Sequence, residues 1–124
     1  MSDHIAIIET NGVLEIHIDR PDKKNALTGP MYRAMIAALA DASSRPEIGV
    51  VLFAGRGDAF CAGNDLKDFM AGPEGGAAAF DFISAIAAFD KPIVAVVQGL
   101  AVGVGTTMLF HCDLVYAGDN AAFS

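Results

Sequence analysis

Two glycine-bearing turns constrain this chain most: Ala59-Phe60-Cys61-Ala62-Gly63-Asn64-Asp65 and Gly99-Leu100-Ala101-Val102-Gly103-Val104-Gly105. Each follows a run of β-branched apolar residues and opens a helix-like run. A strand that turns directly into a helix leaves backbone N–H groups unpaired and pointing outward. Two such junctions side by side offer a place for one oxyanion. The pair therefore predicts a chain of alternating strands and helices, with chemistry on a carbonyl carried mainly by backbone.

The remaining pattern agrees. Residues 5–9 and 13–18 are β-rich and meet at Asn11-Gly12, a strong hairpin signal. In the second run Leu14, Ile16 and Ile18 alternate with Val13, Glu15 and His17, which gives one apolar face. A helix is predicted over 28–43, with Thr28 as N-cap, Pro30 in the first turn and a stripe of Tyr32, Met35, Ile36 and Leu39. Residues 50–54 read as a buried strand and 65–70 as a short helix. Residues 71–76 read as a mobile pocket rim. Residues 80–89 form a helix burying Phe82, Ile83, Ile86 and Phe89, stopped by Lys91-Pro92. A strand over 93–97, a small-residue helix over 103–110 and a strand over 113–116 complete the chain, and Gly118-Asp119-Asn120 turns out of it. Alternating strands and helices argue for an α/β domain with parallel pairing, opened by a hairpin.

Composition narrows the function. A length of 124 residues suits one domain with a modest core. The net charge of −7 disfavours nucleic acid as a bulk partner, because phosphates call for clustered Lys and Arg. A local phosphate site remains compatible, with Lys23, Lys24 and Lys67 as candidates. Met1-Ser2-Asp3-His4 carries no basic leader pattern, and no run reaches the ~20 apolar residues of a membrane span. The expectation is a cytoplasmic protein with no membrane partner. Cys61 and Cys112 have no framework spacing and read as small buried thiols. His111-Cys112-Asp113 is a poor metal site, since adjacent residues seldom converge on one ion. His4 and His17 read as surface residues. Gly103 and Gly105 do not complete a dinucleotide-binding fingerprint.

An ordered set of segments carries a resemblance. Arg20-Pro21 precedes Asn25-Ala26-Leu27. Phe60-Cys61-Ala62-Gly63-Asn64-Asp65-Leu66 follows, then Lys91-Pro92 before a strand. Gln98-Gly99 then leads into Gly103-Val104-Gly105, and Cys112-Asp113-Leu114-Val115-Tyr116-Ala117 closes the set. In that order and spacing they resemble the crotonase family, the enoyl-CoA hydratases and isomerases. The resemblance implies a spiral of ββα units, incomplete here at its C-terminal end, and assembly as homotrimers or hexamers. It implies an acyl-CoA substrate and no separate cofactor. The thioester oxygen would sit in an oxyanion hole made by the backbone N–H groups of Asn64 and Val104; many relatives have Gly at the second position. Lys24, Ala26, Ala62, Asn64, Asp65, Leu66, Lys67 and Val104 would line the CoA and thioester site. Residues 1–124 would then be the N-terminal part of a longer acyl-CoA-binding domain.

The chain also departs from the family. Hydratases use two glutamates. The first position falls on Thr107, and the second would lie beyond Ser124. Threonine is no general acid or base near neutral pH, and reads instead as a hydroxyl bonded one turn back. The expected reaction is therefore that of a Δ3-Δ2-enoyl-CoA isomerase, with hydration or non-catalytic acyl-CoA binding as alternatives. Each site residue also has a purely structural role open to it. Asn64 and Asp65 suit helix N-caps, Gly103 and Gly105 close packing, and Lys23-Lys24 a solvated turn. Cys61 has no visible base to make it a nucleophile.

Overall fold

The computed structural model describes residues 2–124. The chain opens with β1 (Ile5–Thr10) and β2 (Val13–Ile18), an antiparallel hairpin. Asn11 and Gly12 both take positive φ, +51° and +83°, as a two-residue hairpin turn requires. A short 3-10 turn (Pro21–Lys23) leads to α1 (Gly29–Ser44), whose first turn is capped by the Thr28 hydroxyl accepting from Met31 N–H. Then come β3 (Val50–Gly55), α2 (Leu66–Met70), α3 (Pro73–Ala88), β4 (Ile93–Val97), β5 (Leu100–Ala101), α4 (Val104–Thr107), β6 (Leu114–Ala117) and β7 (Ala122–Phe123).

The main sheet has strand order β1-β2-β3-β4-β6, parallel from β2 onward. Crossover helices α1 and α3 pack against one face. That face carries Leu14, Ile16, Ile18, Val51, Phe53, Ile93, Ala95 and Val97, all buried. The helices supply Met31, Tyr32, Met35, Leu39, Phe82 and Ile86 to the same core. Burial of each such large side chain is worth roughly 1.5–3 kcal/mol. The alternation seen in β2 is what commits its face: the odd-numbered residues stay half-exposed.

Lys91 locks α1 to the sheet. Its Nζ donates to the carbonyls of Ala42, Arg45 and Ile48 at 2.7, 2.8 and 2.8 Å. One ammonium thus ties together the last turn of α1 and the loop that follows it: Ala42 O and Arg45 O also accept from Arg45 and Ile48 N–H, so Lys91 adds a second donor to each. Among the described residues no helix is long and apolar enough to cross a membrane.

Several expectations need correction. The segment 71–76 is no mobile rim, because α3 begins at Pro73, well before residue 80. Pro73 takes the first helical position and Gly75 is buried, where an added Cβ would stand 3.0 Å from Phe69 Cα. The glycines that look like a loop serve close packing of α2 on α3. The helix predicted over 103–110 breaks into α4 and a 3-10 turn, Met108–His111. His17 is half-buried and 2.7 Å from Glu15 Oε1 rather than a free surface residue. Cys112 is only partly buried, unlike Cys61.

Candidate active site

The two glycine turns lie side by side. Phe60 and Cys61 N–H both donate to Leu100 O, at 2.9 and 3.1 Å, and Val102 N–H donates to Cys61 O at 2.9 Å. Cys61 and Ala101 thereby form a parallel bridge. Asn64 and Val104 each stand three residues beyond this bridge. Gly63 and Gly103 make the turns possible, with φ of +100° and +58°. They also touch: a Cβ on Gly63 would lie 3.0 Å from Val102 O, and one on Gly103 would lie 4.0 Å from Gly63 Cα.

Both predicted donor amides are free. Leu27 N–H donates to Gly63 O and Asp65 N–H donates to Leu27 O, each at 2.8 Å. That parallel bridge uses the flanking groups and turns the N–H of Asn64 to the opposite side. Val104 is the first residue of α4, so its N–H has no acceptor within the helix. Among the described residues neither amide donates to a protein acceptor. A helix of one turn has little dipole, so the free N–H groups themselves are what the site offers.

The residues around them are tightly tied. Tyr32 Oη donates to Asn64 Oδ1. Asp65 caps α2 by accepting from Asp68 N–H at 2.9 Å, and accepts from Arg20 Nη1 at 2.8 Å. The Asp68 amide first, and then Arg20, hold the Asp65 carboxyl below the usual carboxylate range. Arg20 Nη1 also donates to Ala26 O at 3.2 Å, and Ala62 N–H donates to Lys24 O at 3.0 Å. The segments 24–27 and 62–65 therefore run together, which places Lys24, Ala26, Ala62, Asn64, Asp65, Leu66 and Lys67 on one rim. Val104 joins them through the Cys61–Ala101 bridge. Lys24 pairs with Asp58 at 3.0 Å, whereas Lys23 and Lys67 hold no protein partner among the described residues. Lys67 borders an open hollow of about 340 Å³ with Arg20, Thr28, Asp65 and Asp68.

Two residues that organise this rim escape a reading by pattern. Asn25 is fully buried with φ +61°, accepts from Arg20 N–H at 2.8 Å, and donates to Arg56 O and Ala59 O at 2.9 and 2.7 Å. It pins the loop after β2 to the turn after β3. Tyr32 reads as one more apolar position in a stripe, and its hydroxyl partner lies 32 residues away. The signal for Tyr32 is a polar atom in a stripe that periodicity assigns to the core, whereas Asn25 lies in a loop where no periodicity marks it as buried.

Among the described residues, the side chains next to the amides in sequence are committed to other partners, Asp65 to Arg20 and the α2 cap. Thr107 Oγ1 donates to Gly103 O at 3.1 Å, the one-turn-back bond expected of it. Burial pushes the Cys61 thiol up to about 12, which leaves it protonated and unreactive at neutral pH. Asp113 accepts from Ile93 N–H and Cys112 donates to Met108 O, so the His111-Cys112-Asp113 run is dispersed among separate partners. Among the described residues no group of three acidic, His or Cys side chains is placed to hold a metal.

Comparison with known proteins decides the family. The Enoyl-CoA hydratase/isomerase family profile matches residues 9–124. The chain belongs to this family, the crotonases. Among similar crotonases, rat enoyl-CoA delta isomerase 2 is 38% identical over 130 residues, covering 98% of this chain and 33% of that protein. The 4-chlorobenzoyl coenzyme A dehalogenase-1 of an Arthrobacter species is 33% identical, covering 97% of this chain and 47% of its own. The crystal structure of an enoyl-CoA hydratase/isomerase from Pseudoalteromonas atlantica T6c superposes with a TM-score of 0.92 at 41% identity, covering 98% of this chain and 48% of that one. The chain thus spans a third to a half of the length of these relatives. The crotonase fold expected from the sequence is borne out by these structural neighbours.

Proposed function

We propose that this chain supplies the thioester-binding part of an enoyl-CoA isomerase. The Asn64 and Val104 N–H groups would hold the thioester oxygen of a 3-enoyl-CoA. A base removes a proton from C2, the electrons move onto the thioester oxygen, and the proton returns at C4 to give the conjugated 2-enoyl product. Donors aimed at the oxygen act most strongly on the enolate, so they lower the barrier rather than only tighten binding. Loss of one such donor typically costs about 10²–10³ in rate.

The observation that carries this reading is the pair of unpaired amides, each three residues beyond the Cys61–Ala101 bridge, on turns whose glycines touch. Three further observations support it. Thr107 stands where water activation would need a carboxylate, and its hydroxyl is spent on Gly103 O. The rat relative at 38% identity is a delta isomerase. Lys23 and Lys67 have no protein partner among the described residues and could meet the CoA phosphates, while Lys24 must first exchange Asp58 for one. The base lies outside residues 1–124.

The test uses the longest protein that carries this sequence, incubated separately with 3-enoyl-CoA and 2-enoyl-CoA. Conversion of the 3-enoyl substrate with little hydration of the 2-enoyl one is expected. Rapid water addition to the 2-enoyl substrate would contradict the isomerase reading. A second reading, binding without turnover, is favoured by one feature: Asp65, the acid nearest the amides in sequence, is already committed to Arg20 and the α2 cap. Calorimetry with hexanoyl-CoA beside an activity assay on the 124-residue chain separates the two. Turnover by that chain would exclude the second reading and the placement of the base.

A further inference from the structure

We infer that Tyr32 is a positioning residue for the oxyanion hole, acting through its hydrogen bond to the Asn64 side chain. The inference rests on the isomerase reading of that site and adds a residue to it. Tyr32 lies in the first turn of α1, 1% exposed, with its ring 5.5 Å from Phe82. Phe82 in turn packs edge-on against Phe53 of β3 at 6.1 Å. This aromatic column fixes the ring from the sheet outward. The hydroxyl is the only polar atom the side chain has, and it donates to Asn64 Oδ1. Burial raises the hydroxyl above its ordinary range, so it remains a donor through neutral pH.

The bond matters because of what Asn64 lacks. The peptide that carries its N–H is held on the other edge by Gly63 O accepting from Leu27 N–H, and the next peptide by Asp65 N–H donating to Leu27 O, while the Asn64 N–H itself has no protein acceptor among the described residues. Such a peptide can rock about the line joining its two flanking bonds. The Tyr32–Asn64 bond adds a third restraint, off that line and anchored in the core. A donor held in one direction acts on developing negative charge without reorganising. A donor that rocks loses part of that effect, since misplacement of about 1 Å costs on the order of 10²-fold. No other hydrogen bond of the Asn64 side chain is present among the described residues.

The test is Tyr32→Phe, which keeps the ring and its packing and removes one oxygen. With 3-enoyl-CoA, kcat is expected to fall about ten- to a hundredfold while KM changes less than about threefold, because the loss falls on the transition state. The unfolding midpoint is expected to move by no more than about 5 °C. Asn64→Ala keeps the amide and deletes the acceptor; it should lower kcat similarly. Adding Tyr32→Phe to it should then cost nothing more. If Tyr32→Phe has its full effect in the Asn64→Ala background, the hydroxyl acts by another route and the inference is overturned. It is equally overturned if Tyr32→Phe alone leaves kcat unchanged. Infrared spectra of bound hexanoyl-CoA labelled at the thioester carbon keep this apart from the underlying reading. A carbonyl band that shifts down in the wild type and less in Tyr32→Phe supports the inference. Equal shifts in both overturn the role of Tyr32 alone. No shift in the wild type overturns the oxyanion hole itself.

Discussion

Gly105→Ala is the perturbation that separates the two proposed donors most directly without deleting either. An added Cβ would stand 2.5 Å from Cys61 O and 2.9 Å from Cys61 Cβ. Ordinary contact begins near 3.4 Å, so α4 must withdraw by about 0.9 Å (3.4 minus 2.5) from the segment that leads to Asn64. Neither neighbour can yield instead: Cys61 O is the acceptor for Val102 N–H, and the Cys61 side chain is fully buried. Overpacking of this kind costs about 1–3 kcal/mol of stability. Val104 immediately precedes Gly105 and moves with it. A displacement near 1 Å at a catalytic donor costs on the order of 10²-fold, or about 2.7 kcal/mol of transition-state stabilisation. The assay is steady-state isomerisation of 3-enoyl-CoA, corrected for the folded fraction by circular dichroism. The matched control is Gly72→Ala, where an added Cβ meets nothing within 4 Å and the backbone is extended. A folded Gly105→Ala protein with the kcat of the control would refute the claim that helix α4 and the Cys61 segment jointly set the site.

Other consequences are independent of turnover. Gly76→Ala should stabilise the fold by about 0.5–1 kcal/mol in a urea titration, because Gly76 is helical and its Cβ would meet the Phe69 ring at an ordinary 3.7 Å. Lys91→Met should cost about 1–3 kcal/mol in the same titration, since Ile48 O loses its donor while Ala42 O and Arg45 O each lose one of two. Cys61, raised from 9.0 to about 12 by burial, stays protonated in the fold after it would ionise in the unfolded chain. The folded state then binds more protons, so its contribution is whole below pH 9 and is lost as pH rises toward 12. The slope is at most about 1.4 kcal/mol per pH unit for one group. Cys61→Ala should flatten that alkaline limb of a melting-temperature profile.

Local rules explain which parts were legible in the sequence. Asn11-Gly12 needs two positive φ values and announces them by residue type. Leu14, Ile16 and Ile18 show the buried face of β2 because a strand has only two faces. The start of α3 was hidden because Gly75 and Gly76 oppose helix formation locally, and only the packing of Phe69 and Asp68 against Gly75 explains them. Strands β5 and β7 have two residues each and exist only through pairing across 22 positions, Leu100 with Ala122 and Ala101 with Phe123. The same holds for Tyr32 with Asn64, Asn25 with Ala59, and Lys91 with the end of α1. The candidate donors stood between these extremes. Their glycine turns were visible, whereas the contact between those turns depends on the Cys61–Ala101 bridge, which joins residues far apart in the chain.

The central claim concerns two main-chain N–H groups, and nuclear magnetic resonance observes such groups one by one. On titrating hexanoyl-CoA into the ¹⁵N-labelled protein, the amide proton signals of Asn64 and Val104 should move downfield together and saturate together, and free CoA should leave both in place. Saturable binding of hexanoyl-CoA that leaves either amide signal unmoved would contradict the account.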